Sequence, residues 1–387
     1  MALKSMQIVI FAHSLVSCWN HGNAHFLRGI VRDLAARGHH VRTFEPSDGW
    51  SRQNLVAAHG QEAEADFRAA FPGMEPVCYR ADSLDLDAAL GDAGLVLVHE
   101  WNEPSLIARV GRHRVLGGRY RLLFHDTHHR ALTRSDEIGG LDLDGYDGVL
   151  AFGAAVRELY LAAGWSRRVW VWHEAADTAL FRPRPEIERG SAGDLVWIGN
   201  WGDGERSREL REFLLDPVRE LALAADIFGV RYPEEALAAV RDAGAEYHGW
   251  IANHRVPETF AGYRMTVHVP RRPYVTRLRG IPTIRMFEAL ACGIPLVSAP
   301  WDDVEELFRA GEDYLTAADG EEMTRQLARL RADPALGAAI AESGLARIRE
   351  RHTCAHRVDE LMAILASLEP PSDSAHPEQG AVPALQR

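Results

Sequence analysis

Cysteine is scarce in this chain: four in 387 residues, at Cys18, Cys78, Cys292 and Cys354, with no metal-ligand spacing among them. That excludes a disulfide framework and a cysteine-based zinc site, and it points to a reducing compartment. Positive charge is outnumbered too. With 43 Lys and Arg against 55 Asp and Glu the net charge is −12, the wrong sign for a protein that gains affinity by neutralising nucleic-acid phosphates. No apolar run reaches the roughly 18–20 residues that cross a bilayer. The apolar opening Q-I-V-I-F-A-H-S is interrupted by His13 and reads as a strand rather than a leader, so a cytoplasmic location is expected. No G-x-G-x-x-G follows that first strand, and no nicotinamide cofactor is expected.

What is present is α/β alternation, twice over. Residues 7–11 form a continuous apolar run, as in a parallel strand covered on both faces. A polar loop follows, and then Phe26, Leu27, Ile30, Val31 and Leu34 recur at helical spacing up to Gly38. Further strands are expected at 41–44, 76–79, 95–98, 120–124, 148–152 and 169–172, with one helix over 53–71. A second series is expected at 195–198, 226–230, 246–248, 265–269 and 295–298. The fold class is therefore α/β, two tandem Rossmann-like doubly wound domains. The expected boundaries are 1–183, a Pro- and Arg-rich linker at 184–193, a second domain at 194–369 closed by late helices, and a disordered tail at 370–387.

Ligands of such sheets bind outside the carboxyl ends of the strands. Four turns there are rich in polar groups: residues 13–23, H-E-W-N-E-P-S-L from His99, H-D-T-H-H-R from His125, and G-N-W-G-D-G-E-R-S-R from Gly199. His125, His128 and His129 lack the tetrahedral set of an established zinc site, and no metal is expected. The stretch T-R-L-R-G-I-P-T-I-R-M-F-E-A-L-A-C-G-I-P carries phosphate chemistry. Arg277 and Arg279 lead into Gly280, and Thr283 opens a short helix whose unpaired N–H groups suit an anion. The five arginines within 109–121 read first as a solvated face, with docking on an anionic membrane as the lesser reading.

The order of these pieces resembles the retaining, group 1 glycosyltransferases of GT-B fold. The segments carrying it are A-D-T-A-L-F-R-P, Y-H-G-W-I-A-N-H-R-V-P-E-T-F-A-G-Y-R-M-T-V-H-V-P and R-M-F-E-A-L-A-C-G-I-P-L-V-S. Within that group L-L-F-H-D-T-H-H-R and W-I-G-N-W are most similar to CgeB-like proteins. The resemblance implies a nucleotide-sugar donor, UDP- or GDP-linked, with no separate cofactor. It implies a donor site of Arg206, His248, Gly249, Trp250, Ile251, Arg277, Arg279, Gly280, Ile281, Thr283, Ile284 and Glu288, with Glu288 on the ribose. It implies catalytic roles for His99, His125 and Asp126, and an acceptor side of Ser14, His21, Asn23, Glu100, Trp101 and Asn102. The acceptor is a saccharide, small molecule or lipid-linked group, not nucleic acid. Two departures stand out: Gly280 occupies the place of a glutamate that commonly contacts the donor sugar, and the usual lysine beside Arg206 is replaced, with Arg208, Arg211, Arg277 and Arg279 as candidates. A catalytically silent binding protein and a sugar-nucleotide epimerase or hydrolase are the alternative readings.

Overall fold

The computed structural model describes residues 5–368, so the tail expected at 370–387 lies outside the described residues. Strands β1 (Gln7–Phe11), β2 (His40–Pro46), β3 (Val77–Tyr79), β4 (Ala93–His99), β5 (Arg121–Asp126), β6 (Gly148–Ala151) and β7 (Val169–Val171) form one parallel sheet in the order β3-β2-β1-β4-β5-β6-β7. Strands β8 (Gly193–Ile198), β9 (Ala225–Phe228), β10 (Glu246–Gly249), β11 (Tyr263–His268), β12 (Leu296–Ser298) and β13 (Leu315–Thr316) form a second, ordered β10-β9-β8-β11-β12-β13. The central strands are apolar throughout because each faces two cores. Ile8 and Ile10 of β1 enter one cluster and Val9 and Phe11 another. Leu195 and Trp197 of β8 are likewise divided from Val196 and Ile198. Strand order reverses between β1 and β4 and between β8 and β11, and the loops leaving those strands frame the crevice where such sheets hold ligands.

Three features depart from the sequence reading. The helix expected over 53–71 is two helices, Trp50–His59 and Glu62–Ala70, broken at Gly60 with φ +69°. β13 was not foreseen, being two residues at a sheet edge. The late helices do not all close the second domain. Cys354–Ser367 returns to the first, where Val358, Leu361, Met362 and Leu365 join the core built by Ile8, Ile10, Phe26 and Leu27. Its approach to the helix Ala24–Ala36 is close enough that a Cβ on Gly29 would overlap the Cys354 sulfur. The chain thus crosses between domains twice, and the crossings are bonded together: Ala176 N–H donates to His352 O at 2.9 Å and Cys354 N–H to Ala176 O at 2.9 Å.

Candidate active site

A cavity of about 920 Å³ lies between the two domains, lined by the loops after β1, β4, β5, β8, β9, β10 and β11, by the crossover after β7 and by the start of the helix Ile284–Ala291. Buried polar groups in folded proteins nearly always have partners. Here nine of the fourteen unpartnered buried side-chain atoms among the described residues belong to residues lining this cavity: His21, Asn23, His128, His129, Arg130, Arg206, Trp250, Asn253 and His268. The orphaned hydrogen-bonding capacity of the molecule converges on one cleft.

The wall from the second domain is cationic. Arg206, 8% exposed, donates from Nη1 to Val269 O at 3.0 Å and from Nη2 to Asn200 O at 2.9 Å and Asn200 Oδ1 at 2.8 Å, and lies over the Trp197 ring. Burial, with the like charge of Arg271 adding to it, lowers its pKa to about 9, so the guanidinium remains charged at neutral pH, and no carboxylate among the described residues forms an ion pair with it. Arg271 is paired with Glu205 and donates to Asn200 Oδ1 at 3.1 Å. Arg285 reaches the cleft from the helix start. Asn200 therefore braces two guanidiniums at once.

The first-domain wall is imidazole. The loop carrying His13 and His21 is held by Glu45, whose Oε2 accepts from Leu15 N–H at 2.7 Å, Val16 N–H at 3.1 Å and Ser14 Oγ at 3.3 Å. Burial pulls His13 down to about 4. It also takes His21 well below the usual range, with the His13 and Arg28 charges reinforcing it, and does the same to His128, with His129 and Arg271 reinforcing. These rings are neutral at pH 7, so they exchange hydrogen bonds rather than charge. Trp101 stands beside them, 41% exposed, with the Arg130 guanidinium 4.4 Å from its ring centre.

Of the residues expected from the sequence, Arg206, Trp250, Ile251, Thr283, Ile284, His21, Asn23 and Trp101 line the cleft. The expected catalytic trio does not. His99 is 1% exposed, bonded through Nε2 to Thr127 Oγ1 at 3.0 Å, with its ring 6.2 Å from that of His21. His125 packs against Phe26 and Trp172, and Asp126 accepts from Tyr160 OH at 2.7 Å and His128 N–H at 3.1 Å. As the terminal residues of their strands these side chains still point into the sheet's cores, one layer behind the wall. Ser14 is used on Glu45. Asn102 braces Phe11 O, His99 O and Tyr79 OH. Glu100 is buried, accepts from Thr127 N–H at 2.9 Å, and is held well above the usual carboxylate range by burial and by Asp126.

On the donor side, His248 bonds Asp226 Oδ1 at 2.7 Å and sits with Gly249 outside the cleft. Asp226, Glu246 and His248 are the one group of three close metal-ligand atoms among the described residues; His125, His128 and His129 form no such set. Arg279 pairs with Asp302 at 2.8 Å on the surface, and Arg277 lines a separate shallow pocket. Arg208 and Arg211 do not line the cleft either; Arg271 and Arg285 line it beside Arg206, with Arg130, Arg134 and Arg231 further along its wall. Gly280 has φ +90°, its N–H goes to Asp302 O at 2.8 Å, and a Cβ there would come within 2.9 Å of Val304 and Glu305. Ile281 packs against Gly153.

Glu288 lies farthest from its expected surroundings. It is fully buried and does not line the cleft; Oε1 accepts from His25 Nδ1 at 2.7 Å and Asn253 Nδ2 at 2.9 Å, and Oε2 pairs with Arg285. Asp177 N–H donates to His25 Nε2 at 2.7 Å, which fixes the His25 proton on Nδ1. Burial alone would raise the Glu288 pKa, but Arg285, His25 and Asn253 together hold it below the usual value. It is a brace behind Arg285 and Asn253, which do face the cleft.

Residues 206–363, within the second domain, match a family model described as glycosyl transferase-like. No curated protein matches the chain. Similar solved structures include Anabaena HepE in complex with UDP and glucose, at 15% identity and TM-score 0.65, covering 94% of this chain and 100% of that one. They include an alpha-glucosyltransferase in complex with UDP and a 13-mer DNA containing an HMU base, at 13% identity and TM-score 0.65 with the same coverage. T4 phage BGT with its UDP-glucose substrate follows at 14% identity and TM-score 0.58, covering 94% of this chain and 100% of that one. These likenesses show the fold, which is the two-domain GT-B architecture. No helix among the described residues is long and apolar enough to cross a membrane.

Proposed function

We propose that this chain is a glycosyltransferase that takes a nucleoside diphosphate sugar, uridine-linked by analogy with its structural neighbours, in the cleft between its domains. The observation that carries the reading is the set of buried, unpartnered polar atoms lining the cleft, the Arg206, Arg130 and Trp250 N–H donors among them, together with a helix start at Thr283–Arg285 on the same cavity. A diphosphate answers both. As the sugar–phosphate bond breaks, negative charge grows on the leaving diphosphate. Arg206, Arg271, Arg285 and the helix start stabilise that charge where it develops. In this reading the arginines take the part a metal ion would play, and the β-phosphate receives the acceptor's proton on the retained face. Trp250 and Ile251 serve the base. The neutral imidazoles of His21 and His128, rather than His99 and His125, meet the sugar and acceptor.

One neighbour carries DNA, but the net charge of −12 favours a saccharide, small-molecule or lipid-linked acceptor here. The W-I-G-N-W and L-L-F-H-D-T-H-H-R segments favour the CgeB-like subtype, and four free cysteines favour the cytoplasm. Differential scanning fluorimetry against UDP, GDP, ADP and dTDP tests the reading. A nucleotide at about 100 times its Kd adds about 2.7 kcal/mol of stability. Absence of any response sinks it.

A further inference from the structure

Four carboxylates line the cleft, and three of them are already paired with cations. Glu205 holds Arg271, Asp203 holds Arg231 at 3.1 Å, and Glu137 holds Arg134 at 2.7 Å and Arg130 at 3.1 Å. The fourth is Glu174, on the crossover after β7. It is 7% exposed and accepts from Asn23 Nδ2 at 2.7 Å, and no cation among the described residues pairs with it. Among other buried carboxylates, Asp177 has Arg32 at 2.6 Å and Glu288 has Arg285, while Asp126, which does not line the cleft, is held by Tyr160 OH and His128 N–H.

Resting on the nucleotide-sugar reading, we propose that Glu174 is the carboxyl group that hydrogen-bonds the hydroxyls of the transferred sugar. The phosphates belong to the arginine wall, where Arg206, Arg271 and Arg285 supply the opposite charge. A cationic ligand finds that side lined by neutral imidazoles. What remains is a ligand portion rich in hydroxyls, each of which both donates and accepts. Neither residue of the helix-start stretch that could have supplied this carboxyl does so: Gly280 is turned toward Val304 and Glu305, and Glu288 lies behind Arg285.

The surroundings of Glu174 suit that task. Asn23 faces it from the first domain, the Glu288 charge and the Tyr274 phenol approach from the second, and Arg357 Nε donates to the Glu174 backbone oxygen, not its side chain, at 3.5 Å. Burial, opposed by the Asn23 bond and reinforced by Glu288, pushes its pKa up to about 8. At neutral pH the group therefore keeps a proton and offers one donor and one acceptor.

Isothermal titration of wild type, Glu174→Gln and Glu174→Ala at pH 7, with UDP and with UDP-glucose, UDP-galactose and UDP-N-acetylglucosamine, tests the proposal. Wild type is expected to bind one UDP-hexose about tenfold tighter than UDP, Glu174→Ala to lose that advantage with its UDP affinity unchanged, and Glu174→Gln to keep most of it. The proposal falls if Glu174→Ala keeps the advantage, if UDP affinity drops in parallel, or if no UDP-hexose exceeds UDP in wild type. Failure of wild type to bind UDP at all would instead overturn the nucleotide reading beneath it.

Discussion

Replacing Glu288 with alanine separates two accounts of the same residue. If Glu288 touched the ribose, its loss would weaken nucleotide binding and leave the empty protein as stable as before. The structure gives the opposite order. The side chain is fully buried and serves His25, Asn253 and Arg285, joining a helix of the first domain to a loop and a helix of the second. Removing one partner from a buried ion pair costs about 3–5 kcal/mol, because the other charge stays buried without compensation. At ~2 °C per kcal/mol for a chain of this size, the melting temperature without nucleotide falls by about 6–10 °C. The UDP response then weakens secondarily, as Arg285 and Asn253 lose their brace. The loss also has a pH signature. The Glu288 pKa is depressed in the folded state, so its contribution is fully present above the usual carboxylate range and is lost only as pH falls through the folded value. Wild type and Glu288→Ala should therefore differ by a constant amount from pH 6 to 8 and converge in acid. Scanning calorimetry across that range measures it. A nucleotide-free Glu288→Ala melting within ~2 °C of wild type at pH 7 would refute the buried-brace argument.

Arg206→Ala should weaken UDP binding by about 10–150-fold, the loss of one or more charge-assisted hydrogen bonds at roughly 1.5–3 kcal/mol, measurable by titration calorimetry. Its circular dichroism must match wild type for the comparison to hold. Glu174→Gln should be stabilising in a pH-dependent way. The folded pKa of about 8 lies above the unfolded value near 4.5, so the wild-type fold holds an extra proton between the two. Wild-type stability then declines as pH rises through that window, and the Gln variant gains on wild type from pH 5 to pH 8, by up to ~4 kcal/mol. A constant difference would count against a protonated Glu174. Gly153→Ala places a methyl on Ile281 across the domain junction, and overpacking of this kind costs about 1–3 kcal/mol; denaturant titration reads it, and an unchanged midpoint would mean the junction is slack. A chain ending at residue 352 exposes the apolar face that Val358, Leu361 and Met362 cover, and is expected to lose the cooperative melting of the first domain.

Much of the fold was legible in the sequence because its central strands are covered on both faces and read as unbroken apolar runs. The cleft's position was legible for the same reason, since it lies where those runs end. Which side chains face it was not. His99, the last residue of β4, and His125, the next-to-last of β5, are register partners, and one or two residues earlier or later decide between core and cleft. His128 and His129, just beyond the strand end, take the place on the cleft wall. Arg271 obeys the rule used for the other turns, standing three residues after β11, but V-P-R-R-P reads as simple punctuation. Glu174 could not be found locally at all: what singles it out is the lack of a cation on residues remote in sequence. The last helix is amphipathic like its predecessors, and no periodicity tells which domain its apolar stripe will meet.

That last helix gives the protein an unusual order of completion during synthesis. The strands of the first domain have all been made by residue 171, yet the layer over Ile8, Ile10 and Phe26 is finished only by residues 354–367. At about 5–20 residues/s, some 10–40 s of translation separate the two. Through that interval the leading half of the nascent chain carries an uncovered apolar face, and by residue 316, before the covering helix is made, the trailing half has every strand of its sheet. The half synthesised second is the first that can close its core, and the helix Cys354–Ser367 seals the half that emerged first.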